Sequence, residues 1–215
     1  MDFNKFIVQL SSLLQADLPG QVAQAQMSPL GRSGNYDKTT LQKARKSAVC
    51  LLLYPHENDI FFPLIERPTY DGTHSGQMAF PGGAFEADKD QNLTETALRE
   101  TFEEIGISPD DVQVLGNLSG LYIMPSNFWV QPVLAYLPSA PSFIPDKNEV
   151  ASVVSIPLQE LLNEENVQQT SLKVRGILLP NVPYFALQDK VVWGATAAIL
   201  AELKALLQKI APQVL

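Results

Sequence analysis

Apolar residues recur every three or four positions at the start of the chain: Phe3, Phe6, Ile7, Leu10, Leu13 and Leu14. That spacing gathers them on one face and predicts a helix over 3–15, ending before Pro19-Gly20. The pattern then breaks. Residues 20–45 are mostly polar and contain Pro29, Gly31 and Gly34, so this stretch is expected to be irregular and to wrap over the main body. Two apolar runs follow, over 47–54 and 60–65, bounded by the turn-rich pentapeptide PHEND; they read as paired strands. The stretch RPTYDGTHSGQ (67–77) reads as a loop, and 78–80 as a short strand entering Pro81-Gly82-Gly83.

The next helix has punctuation at both ends. Asn92, with Glu95 three residues later, has the form of a capping box. Gly106 suits a left-handed terminal cap, and Pro109 blocks continuation. Beyond it, strands are expected near 112–123, 128–136 and 150–156, and a short helix at 158–163. Residues 172–192 read as short strands interrupted by Pro180 and Pro183. Ile199, Leu203, Leu206, Leu207 and Ile210 return to helical spacing and predict a final helix from Trp193 to Ile210. No repeat, low-complexity tract or linker divides the chain. The expectation is an α/β fold in which residues 1–40 form a helix and irregular extension packed on a body spanning 41–215.

With 215 residues, 46% of them hydrophobic, the chain can fill one core. The net charge of −8 argues against general nucleic-acid binding, which needs a cationic surface. It leaves room for an anionic small molecule if metal ions or a few arginines meet it. Those arginines are Arg32, Arg45, Arg67, Arg99 and Arg175. Cys50, the single cysteine, sits in an apolar run and is expected to be a buried thiol. The N-terminus lacks the form of a signal peptide and no stretch approaches a membrane span, which points to a soluble cytoplasmic protein with no membrane partner. Homodimerisation stays open.

The capped helix carries RETFEEIG at 99–106. Helical geometry puts Glu100, Glu103 and Glu104 on one side, with Leu98, Phe102 and Ile105 as the apolar stripe opposite. Like charges at this spacing oppose each other by roughly 0.2–0.5 kcal/mol per pair. The triplet is therefore either a solvated acidic face or a carboxylate cluster suited to divalent cations. Its flanks bear on that choice. Gly82-Gly83 allows close backbone approach, Glu86 lies in the same loop, and Arg99 can hold one of the carboxylates in place.

The run from Gly83 through Arg99-Glu100-Thr101-Phe102-Glu103-Glu104-Ile105-Gly106-Ile107 resembles the signature of the Nudix hydrolases. The resemblance implies an α/β/α sandwich with a mixed central sheet. It also implies a loop–helix–loop box in which Glu100, Glu103 and Glu104 hold Mg²⁺ or Mn²⁺ against a diphosphate. There are two departures. The interval from Gly83 to Arg99 is longer than usual, leaving Asp88 or Asp90 as counterpart of the mid-loop acid, and Thr101 replaces an aliphatic residue.

Upstream, Arg67 and the run Gly76-Gln77-Met78-Ala79-Phe80-Pro81-Gly82-Gly83 resemble the subfamily that hydrolyses coenzyme A, as do Glu149-Val150 and Trp193-Gly194-Ala195-Thr196-Ala197. Pro68 and Asp71-Gly72 depart from that subfamily, which has a serine and a second arginine there. The resemblance implies Arg67, His74, Gln77, Gly82, Gly83 and Glu86 as substrate-binding residues, with Arg67 toward the 3′-phosphate. It implies catalytic roles for Arg99, Glu100, Glu103 and Glu149, with Glu100 and Glu149 as alternatives for the base. His74 could equally stabilise its own turn, Glu149 could be an exposed strand-edge acid, and Arg67 could pair with Glu66 or Asp71. Tyr184 and Phe185 are either a substrate wall or core.

The implied reaction is attack of water on a diphosphate, giving 4′-phosphopantetheine and adenosine 3′,5′-bisphosphate. A phosphorus screened by anionic oxygens needs charge neutralisation and an activated water, and divalent ions supply both. The alternatives are a Nudix hydrolase of ADP-ribose, a dinucleotide or a nucleoside triphosphate, and a nucleotide-sensing module without turnover.

Overall fold

The computed structural model describes residues 2–28, 36–68, 76–174 and 176–210. Its centre is β1 (Arg45–His56), a strand apolar on both faces, as expected of one covered on both sides. Ala48, Cys50 and Leu52 point to one layer, and Leu51 and Leu53 to the other. Around it lie β2 (Asp59–Glu66), β3 (Met78–Ala79), β4 (Gly82–Ala84), β5 (Gln113–Asn117), β6 (Leu121–Ile123), β7 (Phe128–Tyr136) and β8 (Ser152–Pro157). The main sheet runs β3-β2-β1-β7-β5, with β4 on β1, β6 on β7 and β8 on β2. β1 and β7 are parallel and the remaining pairs antiparallel, so the sheet is mixed.

Helix α4 (Leu93–Ile105) covers the first face through Ala97 and Ile105. The opposite face carries α1 (Phe3–Leu14), α5 (Leu158–Leu162) and α6 (Gly194–Leu207). The result is an α/β/α sandwich, as predicted. A second sheet, β11-β10-β9, is built from β9 (Val167–Val174), β10 (Ile177–Leu187) and β11 (Lys190–Trp193). Among the described residues no helix is long and apolar enough to cross a membrane.

Several elements differ from the sequence pattern. The two apolar runs pair as expected, Tyr54 to His56 against Phe61 to Asp59, but the longer partner of β1 is β7, which the pattern does not indicate. The single stretch expected over 112–123 is two strands, β5 and β6. Pro180 and Pro183 do not interrupt β10: a bulge between Leu179 and Val182 takes in Pro180, and Pro183 stays in register opposite Gln169. The stretch expected to be irregular contains α2 (Gly20–Ala25) and α3 (Lys38–Lys43).

Tertiary contacts explain α2. Glu202 of α6, fully buried, accepts hydrogen bonds from the N–H of Gly20 at 3.1 Å, Nε2 of Gln24 at 2.9 Å and the N–H of Ser119 at 3.2 Å. A carboxylate serving three donors ties the N-terminal segment to α6 and the loop before β6. Replacing it with Leu keeps the apolar bulk and orphans those donors. Glu202→Leu is expected to cost about 3 kcal/mol or more in urea unfolding, with Glu202→Gln losing less. Unchanged stability in Glu202→Leu would show the clamp to be dispensable.

Candidate active site

Helix α4 is built as its punctuation indicated. Asn92 Oδ1 accepts from the N–H of Glu95 at 3.0 Å, Glu95 reaches back to the N–H of Gln91 at 2.8 Å, and Gly106 closes the helix at φ 75°. Its faces are another matter. Phe102, assigned to the apolar stripe, is 54% exposed, whereas Glu104 is 3% exposed and Thr101 1%. The helix packs through Ala97, Thr101, Glu104 and Ile105, so the acidic triplet is split: Glu104 faces the sheet and Glu103 faces outward. Thr101 fits the interior because its Oγ1 donates to the carbonyl of Ala97 at 2.7 Å. It also lies against the Cys50 thiol, which burial pushes up to about 12.

Glu104 reaches the loop before the helix. Its Oε2 accepts from the N–H of Gly82 at 2.8 Å. Gly82 has φ 154°, and a Cβ there would collide with the carbonyl oxygen of Ala48, so no other residue fits this approach to β1. At Gly83 a Cβ would run into the Glu100 carboxylate. The two glycines therefore let the loop close over the carboxylates.

Arg99 organises the rest. Its Nε and Nη2 form a fork on Asp90 at 2.8 and 3.0 Å, Nη2 also donates to the carbonyl of Ala84 at 3.2 Å, and Nη1 bridges Glu100 at 2.8 Å and Glu103 at 2.9 Å. Glu86 stands 3.8 Å from the same Nη1 and pairs with Lys89 at 3.0 Å. Asp90 further accepts from Thr96 Oγ1 at 2.9 Å and from the N–H of Glu86 at 3.0 Å. The guanidinium holds the Asp90 carboxyl down at about 2 despite its burial. Periodicity does not separate Asp88 from Asp90; burial does, since Asp88 is exposed and Asp90 is 5% exposed.

A cleft of about 310 Å³ is lined by Arg67, Pro68, Glu104, Asn148 and Glu149. Glu149 is in the turn before β8, not on a strand edge, and its charge is felt by both Glu100 and Glu104. Arg67 makes no ion pair among the described residues, while Glu66 pairs with Lys190 at 3.0 Å. The N–H of Arg67 donates to the carbonyl of Gln77 at 3.1 Å, which brings that residue alongside. Phe185 is core and the Tyr184 hydroxyl bonds Gln168, so neither lines this cleft. His74 lies outside the described residues.

Burial pushes the Glu104 carboxyl up to about 7, against the Gly82 hydrogen bond and the Arg67 charge, with Glu100 and Glu149 adding to the rise. Burial also raises Glu100. Among the described residues no three carboxylate, histidine or cysteine side chains converge closely enough to chelate an ion in this conformation. The Arg99 fork accounts for that, since it draws Glu100 and Glu103 to itself while Glu104 turns to Gly82.

Because the folded state retains a proton on Glu104 that the unfolded chain releases, stability present below about pH 4.5 is lost as pH rises through about 7. The scale is about 3 kcal/mol. Urea unfolding in chelator should show this decline across that window in the wild type and a flatter profile in Glu104→Gln. Parallel profiles would place the titration elsewhere.

Residues 44–174 match the NUDIX domain family. The chain is 37% identical over 165 residues to a protein of Pectobacterium atrosepticum described as "Uncharacterized Nudix hydrolase NudL", covering 76% of this chain and 83% of that one. A protein of the same description from Photorhabdus laumondii is 36% identical over 131 residues, covering 61% and 68%. Among solved structures, the fold is similar to that of a Nudix hydrolase from M. smegmatis, RenU, with a TM-score of 0.54 at 15% identity, over 78% of this chain and 88% of that one. The matched segment contains the PGG loop, the glutamate helix and the Arg99 fork, and on these grounds the chain belongs to the Nudix hydrolase family.

Proposed function

We propose that this Nudix hydrolase cleaves the diphosphate of coenzyme A or its derivatives, releasing 4′-phosphopantetheine and adenosine 3′,5′-bisphosphate. The carrying observation is that Arg67 and Glu104 line one cleft: a cation at the end of β2 stands across from the buried acid of the helix. Arg67 also opens the sequence run, continuing through Gly76–Gly83, that resembles the coenzyme A subfamily.

Nudix hydrolases generally use divalent metal ions, and the donor set here suits Mg²⁺ or Mn²⁺. Glu104 is held in its proton-binding range by burial and by neighbouring carboxylates, an electrostatic imbalance that a hard dication relieves. Glu100, Glu103 and Glu104 are the residues to hold it. A dication held there would supply charge neutralisation at the diphosphate and a more acidic water. Arg99 positions Glu100 and Glu103 through its two short contacts. Glu149 and Glu100 remain the candidates to accept a proton, Glu149 being exposed at the cleft and Glu100 half-buried beside Gly83. Gly82 and Gly83 keep the loop backbone close to the carboxylates, and Glu86 and Gln77 flank it.

We propose a diphosphate oxygen as the contact of Arg67, in place of the 3′-phosphate implied by the resemblance. The cleft it shares with Glu104, and the lowering influence of its charge on that carboxyl, support this reading. Arg67→Ala should then lower kcat/KM for coenzyme A and for dephospho-coenzyme A alike, by about 10- to 100-fold, the scale of a charge-assisted hydrogen bond. A loss confined to coenzyme A would return Arg67 to the 3′-phosphate. The same assay, run on a panel with products identified by mass, tests the substrate itself. Cleavage of ADP-ribose, a dinucleotide or a nucleoside triphosphate with coenzyme A left intact would overturn the proposal.

A further inference from the structure

With Arg67 on the diphosphate, the 3′-phosphate of coenzyme A is left without a cation. The first residues of β1 offer one. Lys38, Lys43, Arg45 and Lys46 lie in a short stretch that contains no acid, in a chain whose net charge is −8. Arg45 and Lys46 are exposed, and among the described residues neither makes an ion pair. Each rests on an aromatic ring instead. The Arg45 guanidinium lies 4.3 Å from the centroid of Phe128, and the Lys46 ammonium 5.5 Å from that of Trp129. Both rings are half-buried.

Strand register sets these side chains beside the catalytic loop. β1 and β4 pair Ala48 with Gly83 and Ser47 with Ala84, and the N–H of Phe85 donates to the carbonyl of Lys46 at 3.0 Å. The Glu100 carboxylate occupies the space a Cβ of Gly83 would take, and the carbonyl of Ala84 receives Arg99. Lys46 is two residues before Ala48, so it stands on the same α4-facing side of β1, roughly 7 Å along the strand. The row continues across the sheet, Lys46 pairing with Trp129 and Trp129 with Tyr122. This rim is tied down. The N–H of Arg45 donates to the carbonyl of Asn127 at 2.9 Å, and Ser47 Oγ donates to that of Trp129 at 3.2 Å.

We propose that Lys46, with Arg45 adding to the local field, seats the phosphomonoester on the ribose of the substrate, the 3′-phosphate of coenzyme A. The inference rests on the reading of the chain as a coenzyme A hydrolase, and it names the contact that separates coenzyme A from its dephospho form. Two phosphates on one ribose are a sugar ring apart, so a diphosphate held at the α4 carboxylates leaves the 3′-phosphate one short step away across the sheet. A phosphomonoester carries close to two negative charges near pH 7, and lysine meets it as a point charge. Phe128 and Trp129 hold the two cations at the rim without cancelling their charge, as a carboxylate partner would.

The test is calorimetric titration of the full chain with adenosine 3′,5′-bisphosphate and with AMP, which lacks the 3′-phosphate. The wild type is expected to bind the bisphosphate at least tenfold more tightly, the scale of one charge-assisted contact. Lys46→Met keeps the apolar stem on Trp129 and should narrow that ratio to threefold or less. Lys46→Arg should restore it, and Lys46→Gln serves if the Met variant does not fold. Lys147→Met is the control, since Lys147 is an exposed cation next to Asn148 and Glu149 of the cleft. Equal binding of the two nucleotides by the wild type, no binding of the bisphosphate, an unchanged ratio in Lys46→Met, or a ratio lost in Lys147→Met would overturn the assignment. The two proposals fail separately. A bisphosphate preference that depends on Lys46 in a protein that leaves coenzyme A intact supports the seat and sinks the cleavage reading. Coenzyme A cleaved by Lys46→Met with the wild-type KM does the reverse.

Discussion

The fork between Arg99 and Asp90 is the constraint on which the site depends. It joins a residue of α4 to the end of the loop that precedes the helix, and it does so under cover, with Asp90 nearly inaccessible. A buried ion pair of this kind is weak evidence for stability, since desolvation opposes the attraction. Its value here is geometric. With two of its nitrogens fixed on Asp90, the guanidinium has its third directed at Glu100 and Glu103, so the loop length and the orientation of two carboxylates are set together. The lengthened interval between Gly83 and Arg99 is accommodated because Asp90, midway along it and also tied to Thr96 and to the N–H of Glu86, brings the loop back to Arg99.

Against that frame the molecule carries an unrelieved electrostatic load. Glu104 is buried with Glu100 and Glu149 in its field, opposed by the Gly82 hydrogen bond and by the charge of Arg67 across the cleft. A fold optimised for stability alone would place an apolar residue at position 104 and bury Phe102, which instead stands exposed. Conflict between local pattern and packing of this sort is typical of functional positions. The function of a diphosphate hydrolase gives it a reason, because a cation and an anionic substrate are what complete the charge balance.

The same conflict explains what the sequence alone could reveal. Asn92, Glu95 and Gly106 act locally, through backbone groups within one turn, and so the ends of α4 were legible. The continuous apolar run of β1 was legible because both its faces meet a core, and the helical spacing of α1 because one face of it does. Which side of α4 faces inward was not, since hydrophobic periodicity favours Phe102 and the loop contacts of Glu104 override it. Helix α2 depends on Glu202, 178 residues from Gln24, and no local pattern announces such a partner. The identity of the glutamate triplet, Gly82 and Gly83 could be read from the motif, whereas Asp90 and the shared cleft of Arg67 with Glu149 needed the fold.

The central claim is that the split glutamate cluster of α4 is a divalent-cation site and not a solvated acidic face. Titration of the apo chain with Mn²⁺ at pH 7.5, followed by calorimetry or by the loss of the free-ion paramagnetic resonance signal, tests it most directly. The account expects saturable binding in the wild type and an affinity at least tenfold weaker in Glu104→Gln, with the fold retained. Binding of equal strength in both proteins, or none in either, would contradict it.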